Sequence, residues 1–212
     1  MKEIKTIHVT INEDGTTSNG TTFSVINENQ FCLDDIIYEI EEGHLVVRGN
    51  INGDECETCN IVASITYKGN TYEVLKVGVC AFEGCDLLTS INIPEGVTSI
   101  EDAAFCNCDS LTPIDIPSSV TSIGEQAFDG CSSLTSIDIP SSVTSIGDGA
   151  FESCYNLTTV ICRAENVPEL GDGVFTDVQT SKVTLYVPAS ALEAYGEADQ
   201  WEDFGTILPI EG

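Results

Sequence analysis

Basic residues are scarce in this chain. Its 212 residues include 7 Lys and Arg against 35 Asp and Glu, which gives a formal net charge of −28. A surface of this sign repels the phosphates of nucleic acids and of anionic lipid headgroups. We therefore expect no nucleic-acid partner, whereas basic proteins or divalent cations fit the charge better. The alternative is that the charge only keeps the protein soluble.

Long apolar runs are also missing. No run approaches the roughly 18 residues of a membrane-spanning helix, so we expect no direct insertion into a membrane. Charged and polar residues interrupt residues 1–8, which leaves no apolar core for a secretory signal. We therefore expect either an intracellular protein or the mature or trimmed form of a secreted precursor.

Histidine is rare, and the usual catalytic motifs are absent from the sequence. His8 and His44 both lie in the N-terminal region, without an evident nucleophile partner. The chain contains no Gly-x-Ser-x-Gly, His-Glu-x-x-His, phosphate-binding loop or dinucleotide fingerprint. Carboxylate pairs such as Asp34-Asp35 lie at predicted turns, where solvation is the usual reason for charge. We predict that the protein is not an enzyme and needs no cofactor.

What the chain does contain is one pattern that recurs between Phe82 and Phe175. Its phenylalanines follow one another at intervals of 23, 23, 23 and 24 residues. Apolar residues return at fixed offsets, in columns that include Phe82, Phe105, Phe128, Phe151 and Phe175; Leu88, Leu111, Leu134 and Leu157; and Ile91, Ile114, Ile137 and Val160. A fixed period of roughly 20 to 50 residues is typical of stacked repeats that share one core.

Each repeat predicts a strand, a corner, a second extended piece and a turn. In the unit at 128–150, Ile137 and Ile139 point inward from a short strand that Pro140 ends. Gly147 then allows a tight bend before a single helical turn. The sequence therefore predicts a β-rich solenoid with short parallel strands and one helical turn in each 23-residue coil.

The 10 cysteines raise the question of disulfides or a metal site. One column consists of Cys85, Cys108, Cys131 and Cys154. Stacked strands lie about 4.8 Å apart, wider than the roughly 3.8 Å between the Cβ atoms of a disulfide, so we predict free, buried thiols. The closer pairs, Cys56 with Cys59 and Cys106 with Cys108, lack the second spaced pair or histidine of a zinc site. We predict no metal centre; calcium and the redox state of Cys56 and Cys59 are left open.

The flanks of the repeats predict different structures at the two ends. Residues 1–60 predict an N-terminal β-rich segment, in which residues 4–11 and 21–26 form a hairpin. Residues 61–181 hold about five coils of the solenoid, and 61–82 is a degenerate first coil.

Residues 182–212 predict a C-terminal cap made of a strand and a helix. The strand covers 182–187, and a helix from Ala191 to about residue 200 follows, with Ser190 as its N-cap. Apolar side chains then cover the last coil, namely Trp201, Phe204, Ile207 and Leu208.

Polar residues that repeat lie at the outward positions of the predicted strands. Asn92, Asp115 and Asp138 share one position, and Ser90, Ser136 and Thr159 flank them. A line of carboxylates on a solenoid face is a candidate docking strip for a basic partner or for calcium. The alternative is a solvated face without a ligand.

The full repeat, Leu-x-x-Ile-x-Ile-Pro-x-x-Val-x-x-Ile-Gly-x-x-Ala-Phe-x-x-Cys, resembles one known family over residues 82–173. It is similar to the BspA-like leucine-rich repeat, also described as the Treponema pallidum type. Two features depart from that pattern. Glu101 stands where later units have Gly124 and Gly147, and the last unit is one residue longer, which predicts a distorted corner.

The resemblance implies a surface protein of a Bacteroides-like bacterium, extracellular or on the cell surface. It implies a non-catalytic binding and adhesion module that docks partners on the solenoid face. The expected partners are host extracellular or other surface proteins, and glycans, and we expect the chain to be a monomer. The alternative is a structural spacer or scaffold with no ligand of its own.

Overall fold

The computed structural model describes most of the chain, namely residues 8–12, 16–20, 23–27, 29–51 and 56–211. Parts of two predictions lie outside these residues: the start of the first strand at 4–7 and the start of the second at 21–22.

Short strands make up most of the regular structure. In chain order they are β1 (His8–Thr10), β2 (Phe23–Val25), β3 (Gln30–Leu33), β4 (Ile36–Glu41), β5 (His44–Asn50), β6 (Thr58–Asn60), β7 (Ser64–Tyr67), β8 (Asn70–Val77), β9 (Ser90–Asn92), β10 (Ser99–Ile100), β11 (Ser122–Ile123), β12 (Ser136–Ile139), β13 (Ser145–Ile146), β14 (Thr159–Cys162), β15 (Glu169–Leu170), β16 (Thr184–Val187) and β17 (Thr206–Pro209). Two 3-10 helices span Thr180–Lys182 and Ala189–Ala191, and helix α1 spans Leu192–Gly196. The predicted β-rich fold is confirmed.

The N-terminal strands β2 to β5 form an antiparallel meander that joins the solenoid. Each pairs with the next, and β5 then pairs in parallel with β8. The predicted hairpin between the first two strands is wrong, because β1 pairs in parallel with β7 and β2 pairs with β3. Aromatic packing accounts for the position of β2, since the ring of Phe23 lies 6.1 Å from Phe31 and 6.0 Å from Tyr67.

The repeats stack into two parallel ladders. The first ladder runs through β8, β10, β11, β13 and β15, and the second through β12, β14, β16 and β17. In the first ladder Val77 of β8 is in register with Ile100 of β10. The strand β8, which precedes the regular repeats, therefore pairs in the same register as the repeats do. The extra residue of the last unit falls in the connection from β14 to β15, and β15 still pairs with β13.

Phenylalanine rings form the axis of the core. Successive rings are nearly parallel, with centroid distances of 5.4, 5.3, 5.4 and 5.8 Å from Phe82 to Phe175. Each ring follows a turn closed by bonds to the third residue back, such as Ala150 N–H to the Gly147 carbonyl. The backbone N–H of Phe128 donates to the next coil, at Ala150 O, over 2.9 Å. These turns confirm the predicted single turn in each coil.

The cysteine column is buried and free, as predicted. The thiols of Cys108, Cys131 and Cys154 donate to the carbonyls of Phe82, Phe105 and Phe128 at 3.0, 3.2 and 3.2 Å. Burial raises the pKa of Cys108 to about 12, so this thiol is neutral and a poor metal ligand. Cys56 and Cys59, in contrast, are joined by a disulfide.

Threonine hydroxyls bond each coil to the coil before it. Along the first ladder, Thr98, Thr121 and Thr144 donate to the carbonyls of Leu75, Thr98 and Thr121 at 3.1, 3.1 and 3.3 Å. Beside the second ladder, Thr89, Thr112 and Thr158 donate to the carbonyls of Glu57, Thr89 and Thr135 at 2.9, 2.7 and 3.0 Å. In all six bonds the donor comes later in the chain than the acceptor.

The C-terminal cap contains a shorter helix than predicted. Helix α1 spans only Leu192–Gly196, and its N-cap residue, Ala191, makes no side-chain capping bond. The predicted N-cap at Ser190 is wrong, because Ser190 lies inside the preceding 3-10 helix. The hydroxyl of Tyr195 instead holds the helix to the last coil, by donating to Ala164 O over 2.9 Å.

A further strand, β17, follows the predicted last strand and pairs with β16. Trp201 and Phe204 are buried over the last coil, as predicted, and Trp201 meets Phe175 edge-on at 5.7 Å. The predicted covering role of Leu208 is wrong, because β17 directs it outward and leaves it 40% exposed.

Candidate partner-docking face

The residues predicted to bind a partner lie on the outward side of β9, of the strands of the second ladder and, for Asp115, of a single bridge to β12; we call this surface the strand face. It has two columns of side chains. One carries hydroxyls, at Ser90, Ser136, Thr159, Thr184 and Thr206; the other consists of Asn92, Asp115, Asp138, Ile161, Tyr186 and Leu208. In β12, β14 and β16 the residues between them are buried, because side chains alternate across a strand.

A break separates two of the predicted residues from the others. Ser90 and Asn92 lie on β9, which pairs with β6 in a separate two-stranded sheet. In the next coil Pro113 has no N–H to give to a ladder, and only Asp115 forms a bridge, to Asp138. The predicted residues that the structure brings together are Asp115, Asp138, Ser136 and Thr159.

Asp138 is paired with Arg163, which the sequence analysis did not include in the face. Two guanidinium nitrogens, Nε and Nη2, donate to the two carboxylate oxygens over 2.7 Å each. Hydrogen bonding to Asp138 raises the pKa of the Arg163 guanidinium. The repeat register contains a sign of this pair, since Arg163 lies one coil and two residues beyond Asp138. Across the described residues no basic group forms an ion pair with Asp115.

The same column becomes apolar in the last three strands. Asp138, Ile161, Tyr186 and Leu208 are consecutive partners across β12, β14, β16 and β17. Together with Arg163, Pro209, Ile210 and Glu211, the apolar residues line an open hollow of about 630 Å³. We call Asp115 and Asp138 the acidic end, and Ile161, Tyr186 and Leu208 the apolar end. The apolar end was not predicted from the sequence, because the candidate positions were those that stay polar from one repeat to the next.

A second hollow, of about 380 Å³, lies beside the disulfide at Cys56 and Cys59. Carboxylates of Asp34, Asp35 and Glu57 line it. Within the described ranges, no group of three or more His, Cys, Asp and Glu residues is placed to hold a metal ion. The hollow therefore offers a charged surface and no assembled cation site in that part of the chain.

His8 has a hydroxyl neighbour that the sequence analysis did not foresee. Its Nδ1 lies 2.7 Å from the Oγ of Ser64. The two residues are direct partners across β1 and β7, and Ser64 is only 3% exposed. A nucleophile must reach its substrate, so this pair is a contact within the sheet.

Comparison with known proteins agrees with the repeat pattern. A sequence description of the BspA type Leucine rich repeat region matches 6 copies over residues 50–193. No curated protein matches the chain. Among the described residues, no helix has the length and apolar character needed to cross a membrane.

Solved structures from bacteria share the fold. A leucine rich cell surface protein from Faecalibacterium prausnitzii is 31% identical, with a TM-score of 0.65, over 78% of this chain and 44% of that one. A leucine-rich repeat protein from Bacteroides capillosus is 30% identical, with a TM-score of 0.58, over 64% of this chain and 99% of that one. The leucine rich repeat protein of T. pallidum is 22% identical, with a TM-score of 0.64, over 82% and 83% of the two chains, and supports the fold alone.

The chain spans less than half of the Faecalibacterium protein. The family match is more extensive, because the matched repeats cover most of this chain. The repeat spacing, the stacked phenylalanines and the parallel ladders described above are features of these repeats. The chain belongs to the BspA-type leucine-rich repeat family.

Proposed function

We propose that the chain is a non-catalytic binding and adhesion module of the bacterial cell surface, which docks partners on the strand face. Membership of a leucine-rich repeat family implies a protein-interaction module. A similar solved structure is described as a cell surface protein, which supports the location. Host extracellular proteins, other surface proteins and glycans are the partners that we propose.

The observation that carries this proposal is the continuous register of outward side chains, half-buried or exposed, on the strand face. Residues from Asp115 to Leu208 follow one another on neighbouring strands. Strands in a sheet lie about 4.8 Å apart, so these five positions span about 19 Å. Hydrogen bonds on both sides hold β14 and β16 in place, and a preformed face loses little conformational entropy when a partner binds.

A binding screen with a blocked strand face tests the proposal. The purified chain is applied to immobilised matrix proteins and glycans, and each hit is repeated with Thr159→Arg, which places a bulky cation at the centre of the face. We expect at least one hit, and a dissociation constant that rises about tenfold or more in the variant. The control, Ser190→Arg, adds the same side chain at an exposed cap position and should bind like the parent.

Two results would contradict the proposal, and only the first of them would support the spacer alternative. One is a parent chain that binds none of the immobilised targets. The other is equal binding by the parent, Thr159→Arg and Ser190→Arg, which would place any contact away from the strand face.

A further inference from the structure

We infer that the strand face recognises an extended protein segment with two chemically different halves, one basic and one apolar. The basic half contacts the acidic end of the face and the apolar half contacts the apolar end. This inference rests on the proposed function and adds the chemistry of the partner and the order in which its halves lie.

The apolar end is the first reason. A column that serves only solubility has no need to change from Asp138 to Ile161, Tyr186 and Leu208 in three successive strands. Ile161 and Tyr186 are half-buried and Leu208 is 40% exposed. Single apolar residues at a surface are ordinary, whereas contiguous ones mark interaction surfaces. Here Tyr186 lies between two aliphatic neighbours in strict register. Tyrosine is enriched where binding energy concentrates, because its ring gives a large contact area at little entropic cost.

Charge is the second reason. The carboxylate of Asp115 forms no ion pair with the described basic groups. It lies on a chain with a net charge of −28, so its surroundings favour a cation further. Arg163 neutralises Asp138 and also lines the apolar hollow, which places the boundary between the two ends at this pair. A basic side chain of the partner therefore fits at Asp115, beside which no described cation lies, whereas Arg163 stands at the edge of the apolar hollow.

The dimensions set the length of the partner segment. The column from Asp115 to Leu208 spans about 19 Å, and an extended chain advances about 3.3 Å per residue. About six residues therefore cover this column, with side chains of every second residue directed toward it, and a nine-residue peptide extends past its ends. The same charge argues against a second copy of this chain, because two copies with −28 each repel one another.

Peptides of identical composition test the inference directly. The block peptide RTKTLTYTL places two basic residues before three apolar ones, on one side of an extended chain. The rearranged peptide LTRTYTKTL has the same residues in mixed order. With fluorescence anisotropy, we expect the block peptide to bind the parent chain at least about tenfold more tightly than the rearranged one.

Variants at the two ends of the strand face separate the apolar contribution to binding from the electrostatic one. Tyr186→Ser should weaken binding of the block peptide about tenfold at any salt concentration, while Tyr186→Phe keeps the ring and the affinity. Asp115→Ser should weaken binding at low salt and reduce its salt dependence, because screening acts on the charge pair. The matched control is Tyr155→Ser, since Tyr155 is 60% exposed on a turn outside the strand face.

Four results would overturn the inference. They are equal affinity for both peptides, no binding of either, an unchanged affinity in Tyr186→Ser, and a dimer in sedimentation that Tyr186→Ser abolishes. The last would make a second copy the occupant. If the hits of the screen are lost in Thr159→Arg but kept in Tyr186→Ser, the proposed function stands and only the two-part partner is rejected.

Discussion

Buried thiols occupy the same core position in four successive coils, and Val178 takes that position in the last coil. Cys108, Cys131 and Cys154 are fully buried, and each donates to a carbonyl of the coil before it. The protein interior is close-packed, so a small apolar group with a weak donor suits this position. Burial raises the pKa of all three thiols, which are neutral at physiological pH.

Stability should therefore fall at alkaline pH. Burial raises the pKa of Cys108 from 9.0 to about 12, whereas the unfolded thiol ionises near its ordinary value. Below pH 9.0 both states keep the proton and stability is unaffected; between the two values only the unfolded state loses it, so unfolding is favoured as pH rises. Urea unfolding should give a lower free energy at about pH 10.5 than at about pH 8.

A variant without two of these thiols provides the control for that experiment. Cys108→Ala with Cys131→Ala should be less stable at about pH 8, because the substitutions leave cavities. Its further loss of stability at about pH 10.5 should be smaller than that of the parent. An identical loss in both proteins would show that other groups, and not the buried thiols, cause the effect.

At the scale of elements, two neighbouring coils approach closely at Gly147, which precedes a turn. A Cβ at Gly147 would lie 2.5 Å from the backbone nitrogen of Glu125 and 2.7 Å from the carbonyl carbon of Gly124. Backbone atoms cannot move aside as a flexible side chain can, so the absence of a side chain at Gly147 allows this close approach.

We expect Gly147→Ala to lower the free energy of unfolding by about 1–3 kcal/mol, because it forces two stacked coils apart. Urea denaturation followed by circular dichroism measures the change. The matched control is Gly196→Ala in helix α1, where an added Cβ meets no atom within 4 Å. There alanine should leave stability unchanged or raise it by up to about 1 kcal/mol. Equal destabilisation by both substitutions would contradict the assigned role of Gly147.

The repeats were predictable from the sequence because the same type of residue recurs at each core position in successive repeats. The phenylalanine and cysteine columns, the turns and the parallel register all followed from recurrence. Elements that occur once were missed: the pairing of β1 with β7 joins residues far apart in sequence, and β17 contains Pro209, which argues against a strand. The apolar end was visible in the register at Ile161, but only the structure extends that column to Tyr186 and Leu208.

At the scale of the whole molecule, negative charge far exceeds the cations available to offset it. Of the 7 Lys and Arg, Arg48, Lys76 and Arg163 form ion pairs with carboxylates. Most of the 35 acidic residues therefore repel one another across the surface. Such repulsion destabilises a compact state and is screened by salt.

Sodium chloride should raise the melting temperature of the protein. Between about 10 mM and about 300 mM the screening length shortens from roughly 30 Å to less than 10 Å. We expect a rise of about 2–4 °C, which corresponds to roughly 1 kcal/mol for a domain of this size. Scanning calorimetry at the two concentrations measures it, and an unchanged or lower melting temperature would contradict the expectation.

Calcium chloride at matched ionic strength is the comparison for that experiment. Screening alone gives similar melting temperatures for the two salts. A markedly higher melting temperature in calcium, reversed by a chelator, would indicate a calcium site. The described residues contain no cluster of carboxylates arranged as such a site.

The threonine hydroxyl bonds also have a consequence for the order in which the protein is made. Along the ladders these bonds join residues 23 positions apart in neighbouring coils, so donor and acceptor have both left the ribosome as soon as the later coil is made. A nascent coil can therefore dock on its predecessor without waiting for residues still to be added. These bonds thus allow the coils to be added one at a time during translation.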